Sequence, residues 1–188
     1  MRDQGIHDKL AFLRQAEKLK SVLRSAHTST GRRESTAEHS WRLALLAMVF
    51  AEDLGDLDLC KVLQLCLIHD LGEALSGDVP AVDVQAHGNK GDSERQDLLC
   101  MTSPLAAPLR ERILSLYDEY EAAATAEAQA VKALDKLETI LQHTQGQNPP
   151  DFNYEFNLGY GRRYTDATPF LASLREVLDD ETRKRAAG

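Results

Sequence analysis

Residues 59–72 read LCKVLQLCLIHDLG, the most informative segment of the chain for its architecture. Apolar side chains fill most of its first ten positions, and His69 and Asp70 follow them just before Gly72. The pattern predicts a buried helix that Gly72 ends. Because a buried carboxylate is unfavourable unless it is paired or bound to a cation, we expect Asp70 at the end of this helix to have one of these partners.

Helical periodicity continues on both sides of this stretch. The residues Ser35-Thr-Ala-Glu38 have the spacing of a capping box, which marks the start of a helix. We expect a first helix that Arg24 ends, and further helices from Ser35 to about Leu54, from Leu59 to Leu71 with Asp56 or Asp58 as its cap, from Asp92 to Met101, from Pro108 to about Ala123, from Thr125 to His143, and from Thr168-Pro169 to beyond Leu178.

Two segments interrupt this pattern. Residues 72–91 contain several glycines and one proline, which predicts a loop with one short helical turn. Residues 145–165 contain prolines, glycines and clustered aromatic side chains, which predicts an ordered loop packed on the rest of the protein. No alternating strand pattern extends beyond a few residues. The sequence therefore predicts an all-α fold, a single domain over residues 1–188 with about six to eight helices.

The composition is that of a globular acidic protein. The chain has 188 residues, 43% of them hydrophobic, with 22 Lys and Arg against 30 Asp and Glu, which gives a formal charge of −8. This apolar fraction argues against disorder. The negative charge argues against binding of long nucleic acids, which requires a basic surface. It leaves open a small nucleotide held by a few arginines.

The cysteines and the N-terminus exclude two further classes. Cys60, Cys66 and Cys100 form no CxxC pair, so a disulfide scaffold or a thiolate zinc site is not expected, and we predict three buried thiols. Trp41 is likewise expected in the core rather than stacked on a substrate. Residues 1–9 are polar, and the most apolar stretch, residues 43–51, is shorter than the ~20 residues that span a bilayer. These features predict a cytoplasmic protein without a membrane segment.

Four polar residues lie within helices that otherwise read as buried: His39, His69, Asp70 and Asp135. Two imidazoles and two carboxylates together form a nitrogen–oxygen site for a divalent transition metal. Taken singly, each of these residues is better explained by a hydrogen-bonded structural role. The sequence pattern alone leaves both interpretations open.

The order of the motifs carries a family resemblance. The chain has Arg32-x-Glu34, Glu38-His39-Ser40, His69-Asp70-Leu71-Gly72-Glu73, Gly77-Asp78-Val79-Pro80-Ala81, and Lys132-Ala133-Leu134-Asp135-Lys136-Leu137-Glu138. This series resembles the HD-domain metal-dependent phosphohydrolases, and in particular their 5′-deoxynucleotidase branch, which includes the HD domain-containing protein 2 group. The resemblance covers about residues 8–145, and residues 146–185 then form a C-terminal loop and helix.

The resemblance implies that His39, His69, Asp70 and Asp135 bind the metal. Manganese and cobalt are typical of the family, and magnesium, zinc, nickel and iron are further candidates. By the same resemblance Glu73 is the acid/base carboxylate. Asp78 is expected to bind the sugar or the attacking water. The resemblance also allows Glu73, Asp78 and the Val79 carbonyl to hold a second magnesium.

Arg24 is the residue that the resemblance assigns to orienting the phosphate, and a guanidinium suits that role. Arg32 or Arg33 could assist it or could instead pair with Glu34. Bacterial members have tryptophan after this arginine, near the sugar, whereas this chain has Ser25. The preference for deoxyribose over ribose is therefore open.

These residues predict hydrolysis of a nucleoside 5′-monophosphate to nucleoside and phosphate. Two alternatives remain at this point: an HD hydrolase of another nucleotide, such as a deoxynucleoside triphosphate, an alarmone or a modified nucleotide, and a non-catalytic regulator that binds metal or nucleotide. The resemblance further implies a homodimer, for which the aromatic segment Phe152 to Tyr164 is a candidate contact surface. Base preference, native metal and pathway are not specified.

Overall fold

The structure, a computed structural model, describes residues 2–78 and 90–187 and is helical throughout most of that range. Seven of the described helices have ten or more residues, which agrees with the predicted six to eight, and three have four or five. The elements are α1 (Arg2–Ala16), a 3₁₀ helix (Glu17–Ser21), β1 (Leu23–His27), β2 (Arg33–Ser35), α2 (Thr36–Val49), α3 (Leu59–Ile68), α4 (Glu73–Ser76), α5 (Lys90–Met101), α6 (Ala107–Ala122), α7 (Ala126–Gln145), α8 (Glu155–Gly159), α9 (Arg162–Thr165) and α10 (Pro169–Ala186).

Helix α7 is the centre of the fold. It packs against α2, α3, α6 and α10, and its inward residues Leu134, Leu137 and Ile140 are fully buried. Helix α3 packs between α2, α6 and α7, as its nearly continuous apolar sequence predicts. The ends of α2 and α3 therefore meet the middle of α7 inside the protein.

Four of the predicted helix starts are confirmed by their caps. The Ser35 Oγ accepts from the Glu38 amide at 3.3 Å, and the Glu38 carboxylate accepts from the Ser35 amide at 2.9 Å, which completes the capping box. Asp58, Thr125 and Thr168 cap α3, α7 and α10 through their side-chain oxygens.

The prediction that Arg24 ends the first helix was wrong. Helix α1 stops at Ala16, and Arg24 lies on β1, which pairs antiparallel with β2. The connecting turn places Gly31 at φ 83°, and the Thr28 amide donates to the Arg32 carbonyl at 2.7 Å. The Thr28 to Gly31 stretch is rich in turn-forming residues, and this local chemistry overrides the helical spacing of the preceding leucines.

The hairpin is tied to the C-terminal end of α7. The Gln147 amide donates to the Thr28 carbonyl at 3.0 Å, and the Gln142 side chain donates to the His27 carbonyl at 2.5 Å. Gly146 lets the two segments approach, because a Cβ at this position would lie 2.1 Å from the His27 carbonyl oxygen. The strand that carries Arg24 and the helix that carries Asp135 are thus held together.

Gly72 acts differently from the predicted helix stop. Its φ of −59° lies in the ordinary helical region, so no left-handed conformation is required there. A Cβ at Gly72 would instead lie 2.5 Å from the carbonyl oxygen of Glu94 on α5. Glycine is needed at this position because α5 packs directly on the chain after Asp70.

Three residues expected in the interior lie at the surface. Cys66 is buried as predicted, but Cys60 and Cys100 are exposed. Trp41 is 64% exposed, because it lies on the outer face of α2.

Within the described residues, no helix combines the length and the apolar character that a membrane span requires.

The aromatic segment after α7 is packed on the rest of the protein, as predicted, and contains the short helices α8 and α9. Arg175 on α10 is buried and holds this segment, donating to the carbonyls of Asn157 at 2.5 Å and Tyr160 at 2.7 Å. Asp179, one turn along α10, accepts from Arg175 Nε at 2.6 Å and balances its charge.

His143, near the end of α7, is a buried imidazole of this region. Its Nδ1 lies 2.8 Å from the Asn157 Oδ1, and its ring packs edge-on against Phe152 at 4.8 Å between centroids. Burial lowers the pKa of His143 from 6.5 to about 4, although the hydrogen bond to Asn157 acts in the opposite direction. The folded protein therefore contains the neutral imidazole.

This burial predicts a loss of stability in acid. Because the folded-state pKa lies below the unfolded value of 6.5, the contribution of His143 is complete above that value and is lost as the pH falls towards 4. Between about pH 7 and about pH 5 the free energy of unfolding should fall by about 2 kcal/mol more in the wild type than in His143→Gln. Urea unfolding at the two pH values measures this difference, and equal pH dependence in both proteins would contradict it.

Candidate metal centre

Two buried histidines face each other in the middle of the bundle. His39 lies in the first turn of α2, and His69 follows the last residue of α3. Their ring centroids are 5.4 Å apart, and both residues are buried. The fold thus brings together two residues that are distant in the sequence.

Two aspartates adjoin these rings. The Asp135 Oδ1, from the middle of α7, lies 3.2 Å from the Nε2 of His39. The Asp70 Oδ2 lies 3.0 Å from the Nε2 of His69 and 3.8 Å from the Nε2 of His39. One donor atom from each of His39, His69 and Asp70 lies within 4.8 Å of the other two. The structure therefore places all four predicted residues in one cluster.

The other nitrogen of each ring is already engaged. The Nδ1 of His39 hydrogen-bonds the Glu138 carboxylate, and the Nδ1 of His69 lies 2.9 Å from the Cys66 carbonyl oxygen. Because both partners accept hydrogen bonds, each Nδ1 holds a proton and donates it, which leaves a lone pair on Nε2 in the neutral ring. The Nε2 of His69 is buried and has no hydrogen bond from any described residue.

The charge of the cluster fits a cation. Burial would raise the pKa of the Asp70 carboxyl, but His69 and His39 lower it below its usual range. Burial would also raise the pKa of Asp135, which Lys136 and His39 lower instead. Burial and Arg24 would lower the pKa of His39, but Glu138 and Asp135 raise it to about 10 in the metal-free cluster. A cation would therefore take the place of the proton on the Nε2 of His39 and leave the proton on Nδ1. Two carboxylates and two lone-pair nitrogens are a donor set suited to divalent transition metals.

Further polar side chains surround this set. Tyr120 donates to the Asp135 Oδ2 at 3.0 Å, and Lys136 donates to the same oxygen at 2.7 Å. Glu138 is buried and accepts from Arg42 as well as from His39. The role of Glu138 was missed by the sequence analysis. Its spacing of one helical turn from Asp135, on a helix that is otherwise buried, is the signal that could have indicated it.

Glu73 lies in the short helix α4, which is the single helical turn predicted for this segment. It is the first residue of α4 and is buried, and the hydroxyl of Thr36 donates to its Oε2 at 3.1 Å. Gly77, at φ 88°, then turns the chain, and Asp78 follows it in a partly buried position. Val79, predicted to contribute its carbonyl, lies outside the described residues.

Of the three arginines considered as phosphate ligands, Arg24 reaches the cluster, whereas Arg32 and Arg33 do not. Arg24 lies 3.6 Å from the Asp70 Oδ2 and 3.3 Å from the Glu34 Oε2. Arg32 instead forms an ion pair with Glu38, and Arg33 donates to backbone carbonyls of β1. Neither of these pairs with Glu34, which was the alternative role considered for them.

Ser25, the neighbour of Arg24 on β1, is exposed. Glu34 is buried, and its pKa is raised by burial and by the nearby Glu138 carboxylate. Burial would lower the pKa of Arg24, but Asp70 and the carboxylates on α7 raise it, so its guanidinium stays charged. A fixed positive charge thus lies at the edge of the carboxylate cluster.

The chain is similar to several known proteins. The HD domain family model matches residues 16–175. The Homo sapiens protein 5′-deoxynucleotidase HDDC2 is 35% identical over 143 residues, which are 75% of this chain and 69% of that protein. The Bos taurus protein of the same name is 32% identical over 193 residues, covering 100% of this chain and 92% of the relative.

A solved structure shares the whole arrangement of helices. The crystal structure of a predicted metal-dependent phosphohydrolase from Magnetospirillum magnetotacticum has a TM-score of 0.87 and 27% sequence identity to this chain. The match covers 99% of this chain and 96% of that one.

The cluster predicts that metal stabilises the protein. Adding Mn²⁺ to metal-free protein, at about a hundred times its dissociation constant, should raise the free energy of unfolding by about 2.7 kcal/mol. In His69→Gln this gain should disappear, because a lone-pair nitrogen is removed from the cluster. His7→Gln, on the exposed face of α1, is the matched control. Thermal unfolding with and without Mn²⁺ reads the result, and equal stabilisation of both variants would contradict the fit.

Proposed function

The chain belongs to the HD domain family of metal-dependent hydrolases, and on that premise we propose that it is a 5′-deoxynucleotidase. The reaction is hydrolysis of a nucleoside 5′-monophosphate to nucleoside and phosphate. The observation that carries the proposal is the convergence of His39, His69, Asp70 and Asp135 in one buried cluster, in a chain whose relatives bear that name.

The four clustered residues are the proposed metal ligands. A divalent cation bound there would supply a Lewis acid for the phosphoryl group and for the attacking water. Manganese and cobalt are the ions we propose first, since nitrogen–oxygen sites accept several divalent metals. The lone pairs of His39 and His69 and the two aspartates are the groups that would hold it.

Glu73 is the proposed acid/base residue. Hydrolysis forms a bond between water oxygen and phosphorus and breaks the bond from phosphorus to the 5′ oxygen. The water must lose a proton, and the departing 5′ oxygen must gain one. Glu73 is buried three residues after Asp70, and the hydroxyl of Thr36, in the same first turn of α2 as His39, donates to one of its oxygens, which supports this role.

Arg24 and Asp78 are the proposed substrate contacts. The guanidinium of Arg24 is held by Glu34 and by Thr139, whose hydroxyl oxygen accepts at 3.0 Å, and it faces Asp70. It can therefore neutralise a phosphate at the cluster without moving. Asp78, directed by the turn at Gly77, is proposed to contact the sugar or the water. With Arg32 paired to Glu38, we assign the phosphate to Arg24 alone.

The remaining features of the sequence analysis stay predictions. They are the single domain over residues 1–188, the role of the Val79 carbonyl, the homodimer, the contact surface at residues 152–164 and the cytoplasmic location. Sugar selectivity also stays open, because Ser25 is exposed and small.

Phosphate release from nucleotides tests the activity. Purified protein with Mn²⁺ or Co²⁺ should release inorganic phosphate from deoxynucleoside 5′-monophosphates, and the same assay with the ribonucleotides measures sugar selectivity. Deoxynucleoside triphosphates and alarmones are the comparison substrates, and release of tripolyphosphate or pyrophosphate from them would favour another nucleotide hydrolase. Absence of phosphate release from every monophosphate, in protein shown to bind metal, would refute the proposal.

Substitution of Glu73 tests the mechanism. In Glu73→Gln the amide keeps a hydrogen-bond acceptor for Thr36 but cannot exchange a proton, so kcat should fall by about 10²- to 10⁴-fold while metal affinity is retained. Glu111→Gln, an exposed carboxylate on α6, is the control. Steady-state kinetics together with a Mn²⁺ titration give both quantities. Wild-type kcat in Glu73→Gln would remove this residue from the acid/base role. Absence of activity in the wild type as well as in the variant would instead favour a non-catalytic protein.

A further inference from the structure

Glu138 connects His39 to Arg42. It lies one helical turn after Asp135 on α7, and its side chain is fully buried. One carboxylate oxygen hydrogen-bonds the Nδ1 of His39, and the other accepts from the Nε of Arg42 at 2.5 Å. Each oxygen thus has a separate partner, and the carboxylate bridges the two side chains.

The bridge determines which nitrogen of His39 can bind a metal. A neutral imidazole carries one proton, and only the nitrogen without it can be a ligand. The Nε2 of His39 lies 3.2 Å from the Asp135 Oδ1, so a proton on Nε2 would also find an acceptor. The Glu138 carboxylate resolves this competition by accepting from Nδ1, which leaves the Nε2 lone pair directed at the cluster.

The two histidines of the cluster are held in different ways. The Nδ1 of His69 is engaged by the backbone carbonyl of Cys66 at 2.9 Å. At His39 an ionised side chain takes that place, and a carboxylate acceptor increases the basicity of the ring more than a carbonyl does. The orientation of His39 therefore depends on a residue that substitution can remove.

Arg42 completes the arrangement from the outer side of α2. It lies one turn after His39, with its side chain 21% exposed, and its NH1 also donates to the Gln145 side chain at 3.1 Å. A carboxylate that is completely buried requires compensation of its charge, and Arg42 supplies both a positive charge and a directional hydrogen bond.

From this arrangement we propose that Glu138 is a positioning residue, which fixes the tautomer and orientation of His39 for metal binding and is itself fixed by Arg42. The inference rests on the proposed function, because it assumes that His39 is a metal ligand. It assigns to Glu138 no contact with the metal or the substrate.

Metal titration of the metal-free protein tests the inference. In Glu138→Gln the affinity for Mn²⁺, measured by calorimetry, should fall by about 10- to 100-fold. Glu127→Gln is the matched control, since Glu127 is a carboxylate on the same helix, is paired with Lys61 and lies two turns before Asp135. Its affinity should equal that of the wild type. Wild-type affinity in folded Glu138→Gln would overturn the inference.

A second readout distinguishes positioning from a purely structural role. In the Zn²⁺-loaded protein, nitrogen NMR of the imidazoles should show a hydrogen-bonded proton on the Nδ1 of His39, and its resonance should shift in Glu138→Gln while that of His69 stays. A residue that served stability alone would lower the melting temperature and leave both the Mn²⁺ affinity and this resonance unchanged.

Arg42→Gln keeps the inference testable if Glu138→Gln does not fold. Arg42 is partly exposed, and its removal should weaken Mn²⁺ binding several-fold by releasing Glu138. Wild-type affinity in this variant would then overturn the proposed bridge. His69→Gln separates this inference from the proposed function. Retained metal in His69→Gln refutes the metal site itself, whereas its loss there with wild-type affinity in Glu138→Gln refutes only the positioning role.

Discussion

Several carboxylates lie close together in the interior of this protein. Asp135 and Glu138 lie one turn apart on the most buried helix, and Asp70 and Glu34 approach them from other elements. Such a group of carboxylates is stable only with positive charge close by. Arginines and a lysine at its edge supply part of that charge, and the two imidazoles leave lone pairs for a cation at its centre.

The need to compensate this buried charge explains why the cluster lies where the ends of α2 and α3 meet the middle of α7. The capping box at Ser35 sets the first turn of α2, so His39 points inward from a fixed start. The close approach of α5 at Gly72 holds the chain directly after Asp70. The site is therefore held by backbone features on two sides, and the side chains have little freedom to rearrange.

Sequence reasoning predicted most of this core because the relevant signals are local. Caps such as Ser35, Thr125 and Thr168 act within one turn, and polar residues in apolar helices are visible without a structure. The β1–β2 hairpin was missed because its pairing depends on a turn and not on periodicity. The role of Glu138 and the exposure of Trp41 were missed because each depends on how the helices pack against one another.

The attachment of the hairpin to the end of α7 has a mechanical consequence. The hairpin turn at His27 and Thr28 is held by three residues at or just after the end of α7: Gln142, Gly146 and Gln147. Without this attachment the short β1–β2 hairpin would move relative to α7. The distance between the Arg24 guanidinium and Asp135 on α7 would then fluctuate. Because the hairpin is anchored to that same helix, both charges share one rigid frame, and an incoming anion meets them without an entropic cost of ordering.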